Sequence, residues 1–307
     1  MTPAAPSASA RLSSPGDVVD GLASVGYLAD AHIGTVVYLA EQLGKPVLVE
    51  GPAGTGKTEL AKSVASLLGA RLVRLQCYEG LDESKALYEW NYRKQLLRIQ
   101  VESSGGARAG TRAWEEVEAD IFSEEFLLER PLLEAIRASD PVVMLVDEVD
   151  RVELETEALL LEVLSEYQVS IPELGTVRAR QIPFVVLTSN DTRELSEALK
   201  RRCLYLHLGY PTPEREREIV LAKVPGIATR LADEVVRVVR TLRDLDLEKH
   251  PSVSETLDWA RTLVLLGIEH VDADVAVSTL HILLKYQADI ELVAAELSVR
   301  PPDAAGS

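Results

Sequence analysis

The clearest chemistry in the chain lies in one short run. Gly51-Pro52-Ala53-Gly54-Thr55-Gly56-Lys57-Thr58 fits GxxxxGK[ST], between an apolar run at Pro46–Glu50 and a helix-periodic segment from Lys57 to Leu68. Glycines at these positions let backbone N–H groups wrap a phosphate, and a helix N-terminus adds the positive end of its dipole. Lys57 can reach the β- and γ-phosphates of a nucleoside triphosphate, and the Thr58 hydroxyl can join the coordination of Mg²⁺. The segment Gly51 to Glu59 is therefore the candidate nucleotide-binding stretch.

A second cluster closes another apolar run. Pro141–Val146 ends in Asp147-Glu148, about ninety residues after the glycine-rich loop. An unbroken apolar strand is the pattern of one buried on both faces of a parallel sheet. At its end Asp147 would hold Mg²⁺, directly or through water, and Glu148 would orient and polarise the attacking water. Alone, such a pair is usually a solvated turn or a helix cap; beside a phosphate loop it reads as the other half of a nucleotide site. Pro183–Thr188 is a further buried strand and runs into Ser189-Asn190. Ligands of parallel sheets gather at the C-terminal strand ends, so Asn190 can bond the γ-phosphate and the hydrolytic water. It can also cap a helix beginning near Thr192, and the two roles are compatible.

These groups need a parallel sheet between helices, and the rest of the chain supplies one. Apolar spacing predicts two helices over Gly16–Gly44, strands at Arg71–Gln76 and Leu204–Leu208, and a helix over Thr156–Glu166. A helical patch is expected at Ala86–Ile99. Another helix is expected over Trp114–Ala138, broken or restarted at Pro131, and one more running to Arg201. Val169–Ile171 and Val177–Ala179 flank a turn and read as a β-hairpin. Beyond Pro211-Thr212-Pro213 only helical patterns remain. The expected fold is α/β, a parallel-sheet core over 16–210 followed by an all-α lid over 211–300. Tails at 1–15 and 301–307 and the loop 103–110 are expected to be disordered or flexible.

Composition narrows the function classes. The 307 residues carry 32 Lys+Arg against 49 Asp+Glu, a formal net charge of -17. A protein that grips nucleic-acid phosphates needs a positive face, and this balance argues against one. Cys77 and Cys203 stand far apart, which excludes a disulfide scaffold or thiolate zinc cluster and fits a reducing compartment. No secretory h-region or spanning segment is present, so the chain reads as soluble and cytoplasmic. No HExxH or GxSxG pattern occurs.

The glycine-rich loop, Asp147-Glu148, the Leu187-Thr188-Ser189-Asn190 strand end and Ala198-Leu199-Lys200-Arg201-Arg202-Cys203 together resemble the AAA+ ATPases over roughly residues 17–290. VLVEGPAGTGKTELA at 47–61, ALYEWNY at 86–92 and SIPELGTVRA at 170–179 are similar to the MoxR family. Within it, the pattern is similar to the ATPases beside carbon monoxide dehydrogenase genes, which help mature that molybdenum enzyme. The resemblance implies an ATP- and Mg²⁺-dependent P-loop core and lid that assemble into a ring, usually a hexamer, with each nucleotide between two subunits. It further implies chaperone-like work on a client metalloenzyme of the molybdenum hydroxylase type, with a von Willebrand factor A domain protein as partner.

By the same resemblance Arg202 falls at the family's arginine finger and would reach the γ-phosphate bound by a neighbour. A guanidinium suits that task, being always charged and able to fork onto phosphate oxygens. Arg201 is the adjacent alternative, and paired arginines after a helix also offset its dipole. The family's sensor-2 arginine has no counterpart: Ser252-Val253-Ser254-Glu255 stands there, and neither Lys249 nor Arg261 fits the motif. Gly26-Tyr27 through Ile33 falls where relatives hold adenine, or is plain helix core. Trp90 and Tyr92 are partner-contacting aromatics or core. The alternative function is a nucleic-acid-acting ring of the clamp-loader or helicase type, opposed by the acidic charge and the lack of a basic stripe or zinc knuckle.

Overall fold

The most apolar runs of the sequence become the inner strands of one sheet. A computed structural model describes residues 12–104 and 121–299. Its strands are β1 (Val47–Glu50), β2 (Arg71–Gln76), β3 (Tyr88–Trp90), β4 (Leu127–Glu129), β5 (Val142–Asp147), β6 (Gln168–Ile171), β7 (Gly175–Arg178), β8 (Phe184–Ser189) and β9 (Leu204–His207). The main sheet has the order β2-β5-β8-β1-β9, and its β2–β5, β5–β8 and β8–β1 pairs are parallel. Every residue of β1 and β5 is buried, which explains why both read as unbroken apolar runs.

Register is what positions the candidate residues. Gln76 stands opposite Asp147, Val146 opposite Leu187, and Glu50 opposite Ser189. The C-terminal ends of β2, β5, β8 and β1 therefore finish along one edge of the sheet, the edge where parallel sheets receive ligands.

Three expectations change. The helical patch at Ala86–Ile99 is split into a short helix Glu83–Ala86, the strand β3 and a helix Tyr92–Ser104. β3 pairs antiparallel with β4, and Trp90 turns into the core, edge-on to Phe122 and Tyr88 at 5.2 and 6.3 Å between ring centres. Tyr92, by contrast, is exposed. Of the helix expected over Trp114–Ala138, residues 114–120 lie outside the described residues. The remainder is a 3₁₀ turn Glu124–Phe126, β4, and a new helix Pro131–Arg137 with Pro131 at its first turn. The helix expected to reach Arg201 shrinks to Glu197–Lys200. The β6–β7 hairpin forms, with Val169 opposite Val177, but its turn is shorter than read: Gly175 and Thr176 already pair with Ile171 and Ser170. The first helix runs Pro15–Ser24; of the tails and loop, 1–11, 105–110 and 300–307 lie outside the described residues.

The chain divides into two units, Met1–Glu50 with Thr58–Leu206, and Gly51–Lys57 with His207–Ser307. The first holds the sheet and its flanking helices around Leu145, Val146, Leu160 and Leu187. The second joins the glycine-rich loop to helices Pro213–Lys223, Thr229–Arg243, Val253–Leu265, Ala273–Leu283 and Gln287–Val299. Its core centres on Trp259, fully buried, whose Nε1–H donates to Thr279 Oγ1 at 2.8 Å. Among the described residues no helix is long and apolar enough to cross a membrane.

Candidate functional site

The glycine-rich loop is shaped by contacts that only glycine permits. Gly51 has φ 150°, and a Cβ there would stand 2.0 Å from the Leu208 carbonyl oxygen. Gly54 has φ 75°, and a Cβ would stand 2.1 Å from Ser252 Oγ. Lys57 is buried at 6% exposure, and its Nζ donates to the Gly51 and Pro52 carbonyls, both at 2.7 Å. Thr55 Oγ1 donates to Pro52 O at 2.9 Å. The ammonium is thus held over the loop's own carbonyls, from which it can be exchanged onto phosphate oxygens. Ala53 is exposed, and the Glu59 side chain turns to solvent with Lys62 at 3.7 Å.

Within the first unit, the second residue of the helix Lys57–Leu68 reaches the acidic pair. Thr58 Oγ1 donates to Asp147 Oδ1 at 3.1 Å and lies 3.4 Å from Oδ2. Asp147 is nearly fully buried, and its Oδ1 also accepts the Thr188 hydroxyl. Arg74 Nη2 bonds Oδ2 at 2.6 Å. Thr188 Oγ1 in turn accepts the Glu148 N–H at 2.9 Å, so β8 holds both members of the pair.

Glu148 adopts φ 58°, in the left-handed region that a non-glycine residue occupies at a cost of about 1 kcal/mol or more. The bond from its N–H to Thr188 helps hold it there. Its carboxylate is paired with Arg151 Nε at 2.8 Å. Strained non-glycine residues concentrate at functional sites, and this one directly follows the buried Asp147 carboxylate.

Asn190 is placed by a buried carboxylate. Asp150 Oδ2 accepts the Asn190 N–H at 3.1 Å, the Thr192 N–H at 3.0 Å and the Thr192 hydroxyl at 2.6 Å. Burial pushes the Asp150 carboxyl up, but the donors of Thr192 and Asn190 outweigh it and hold the group below the ordinary carboxylate range. No helix begins at Thr192, the next one starting only at Glu197, so Asn190 is not a helix cap. The short helix that follows is capped by Ser196, whose Oγ accepts the Leu199 N–H.

The first unit therefore brings Thr58, Asp147, Glu148 and Asn190 to one sheet edge. It does not bring Arg202 into that network: Arg202 is exposed and donates to Ala198 O at 3.1 Å in its own turn. Arg201 is exposed beside it. Ile33 is buried, and Tyr27 is half-buried.

Four contributors were not singled out in the sequence. Arg74, Thr188 and Arg151 contact the acidic pair, and Asp150 anchors Asn190. Asp150 and Arg151 did leave a signal, since they follow Asp147-Glu148 within one turn. Arg74 left none, because its role depends on β2 lying beside β5.

The residues fit Mg²⁺. Among the described residues no group of three or more His, Cys, Asp or Glu could cage a metal. Mg²⁺ bound to nucleotide phosphates needs no cage, only one or two hard protein oxygens, and Thr58 and Asp147 present such a pair 3.1 Å apart.

Residues 46–203, just over half of the chain, match the family described as AAA domain (dynein-related subfamily). An uncharacterised protein of Staphylococcus epidermidis is 23% identical over 235 residues, covering 74% of this chain and 78% of its own length. The gas vesicle ATPase GvpN of Haloferax mediterranei is 26% identical over 211 residues, 66% of this chain and 57% of its own. Among solved structures, the RuvB Holliday junction branch migration motor of Thermotoga maritima covers 89% of this chain and 72% of its own, at 17% identity and TM-score 0.44.

Proposed function

The chain belongs to the AAA domain family, dynein-related subfamily, and on that premise we propose that it is an ATP hydrolase of the ring-forming, chaperone-like kind. One observation carries the reading: the Thr58 hydroxyl that ends the phosphate-loop motif lies 3.1 Å from Asp147, the first acid after a buried parallel strand. A glycine-rich loop alone binds many anions. A loop whose threonine meets a strand-end aspartate is built for a metal-bound triphosphate. The 26% identical gas vesicle ATPase supports the same activity.

In this reading the backbone of Gly51, Pro52, Ala53, Gly54, Thr55, Gly56 and Glu59 lines the phosphates, and Lys57 turns from its loop carbonyls onto the β- and γ-phosphates. Mg²⁺ bound to ATP supplies charge neutralisation at the phosphates, with Thr58 and Asp147 as its protein ligands. Glu148 orients the attacking water and accepts its proton. Asn190, fixed by Asp150, bonds the γ-phosphate or the water. Arg202, exposed and apart from the Thr58–Asp147 network, serves a neighbouring subunit's site, and that gives a ring, by the sequence resemblance usually a hexamer, its catalytic purpose. By the sequence resemblance stated above, the client is a metalloenzyme under maturation, of the molybdenum hydroxylase or carbon monoxide dehydrogenase type, and the partner carries a von Willebrand factor A domain. The net charge of -17 disfavours a nucleic-acid client.

Phosphate release from Mg²⁺-ATP by the full chain tests the activity. Glu148→Gln should keep ATP binding and lose hydrolysis by roughly two orders of magnitude, since water positioning goes while the cradle stays. Turnover above half of wild type would remove Glu148 from its role. The same variant, held in its ATP-bound form, should retain a von Willebrand factor A domain partner on affinity capture, and failure to do so would separate the ATPase from that partner.

A further inference from the structure

The stretch Ser252-Val253-Ser254-Glu255, which stands where the family resemblance expects a charged sensor, lies against the glycine-rich loop. Gly54 O accepts the Ser254 N–H at 3.3 Å and the Ser254 hydroxyl at 3.4 Å. Ser252 closes the approach on the Cα side: a Cβ on Gly54 would fall 2.6 Å from Ser252 Cβ as well as 2.1 Å from its Oγ. No side chain can come between them.

The start of this helix is itself held from behind. Ser252 and Glu255 form a capping box, with the Ser252 N–H on Glu255 Oε2 at 2.9 Å. Pro251 O accepts from Arg243 Nε at 2.8 Å, and the guanidinium forks onto Glu216 at 2.6 and 2.8 Å. Thr256 Oγ1 donates to the same Glu216 at 2.8 Å, and the Tyr210 ring stacks on Arg243 with its centre 4.5 Å away. Glu216 and Thr256 are essentially unexposed. A buried, fully bonded ion pair thus fixes the backbone just ahead of Ser252, and Ser254 meets the loop from a rigid base.

Peptide geometry turns that contact into a consequence for the ligand. Among the described residues no peptide is cis, so the Gly54 carbonyl and the Thr55 N–H point in opposite directions. Tying the carbonyl to Ser254 aims the Thr55 N–H away from it. An N–H fixed outward from a glycine-rich turn is a donor for an anion.

We propose that Ser254 is a positioning residue for the nucleotide phosphates, holding the Gly54 carbonyl so that the Thr55 N–H is presented to them. The inference rests on reading Gly51–Thr58 as the nucleotide site. Ser254 acts through the loop and touches no phosphate itself. An uncharged hydroxyl and a backbone N–H thereby link the helical unit to phosphate binding.

Ser254→Pro removes both donors at the second residue of the helix, where the N–H has no intrahelical partner to lose. Losing two modest hydrogen bonds should raise the KM for ATP about tenfold, with kcat at saturating ATP changed less than twofold. Ser254→Thr keeps both donors and should restore the wild-type KM, which a merely structural role for a small side chain would not require. Lys57→Ala, in the same titration, reports on the loop alone. If Lys57→Ala loses ATP while Ser254→Pro keeps the wild-type KM, the inference falls and the nucleotide site stands; if Lys57→Ala binds normally, both fall. Should Ser254→Pro not fold, Ser254→Ala decides: it removes the hydroxyl donor to Gly54 O and keeps the backbone N–H, and it should raise the KM about threefold, an unchanged KM overturning the assignment.

Discussion

Arg74 Nη2 lies 2.6 Å from Asp147 Oδ2, on the same carboxylate that accepts the Thr58 hydroxyl at 3.1 Å. The aspartate proposed to hold Mg²⁺ is therefore already partnered by a cation from the neighbouring strand. Arg74 is half exposed, so the pair is worth at most about 1 kcal/mol. Removing it should ease metal entry by a matching amount. Arg74→Gln is expected to lower the Mg²⁺ concentration for half-maximal ATP hydrolysis roughly two- to fivefold. A higher Mg²⁺ requirement would show that the guanidinium supports the metal ligands instead of competing with the ion.

The glycine-rich loop and the strand-end acidic pair are legible because their signals are local: glycines where φ is positive, and unbroken apolar strands where both sheet faces are covered. The expected helix after Thr192 failed for a reason outside its own sequence. Asp150 accepts the N–H groups of Asn190 and Thr192, and Glu157 that of Ser196, so two carboxylates from elsewhere in the chain hold this stretch in an extended turn. β3 and β4 are hidden similarly, three residues each, defined by pairing Tyr88, Glu89 and Trp90 with Glu129, Leu128 and Leu127. Ser254 meets Gly54 from 200 positions away, and no periodicity encodes that.

Asp150 offers a test of the Asn190 assignment and a pH signature. Asp150→Asn withdraws the charged acceptor that fixes Asn190 and Thr192. Turnover should fall about tenfold while ATP affinity stays within about twofold, since a charge-assisted bond lost away from the phosphate loop affects the reacting end alone. The carboxyl is held below its ordinary range in the folded chain, so its stabilisation is present above about pH 4 and is lost as pH falls through the folded value. The urea midpoint of the wild type should therefore drop on acidification more steeply than that of Asp150→Asn. Parallel slopes would mean that the group carries no linked stability.

Both thiols should be inert in the folded protein. Burial pushes Cys77 up to about 12, and the charges of Asp147, Asp150 and Glu148 add to it; burial alone pushes Cys203 up to about 12. At pH 8 neither forms the thiolate that alkylation needs. Iodoacetamide should leave both unlabelled until urea unfolds the chain. The raised values also stabilise the fold below the unfolded thiol pKa of about 8.5, and that contribution is lost as pH rises toward 12. Rapid labelling of Cys77 at pH 8 would show that the acidic sheet edge opens readily.

Arg202→Ala asks about assembly and chemistry together. Its side chain is exposed, donates to Ala198 O in its own turn, and among the described residues stands apart from the Thr58–Asp147–Thr188 network, so its removal should leave the subunit's own nucleotide site intact. ATP binding should persist while hydrolysis falls about 10³-fold, the scale of a guanidinium acting on a transferring phosphoryl group. Lys57→Ala should fail for the opposite reason, keeping Arg202 and losing the lysine proposed to hold the phosphates. Mixing the two inactive variants should restore part of the activity, because some interfaces then pair a sound loop with a sound finger. Such recovery requires that sites be shared between subunits. If mixed assemblies form and remain inactive, the assignment across the interface fails. If Arg202→Ala alone hydrolyses ATP normally, the role passes to Arg201, one residue earlier and equally exposed.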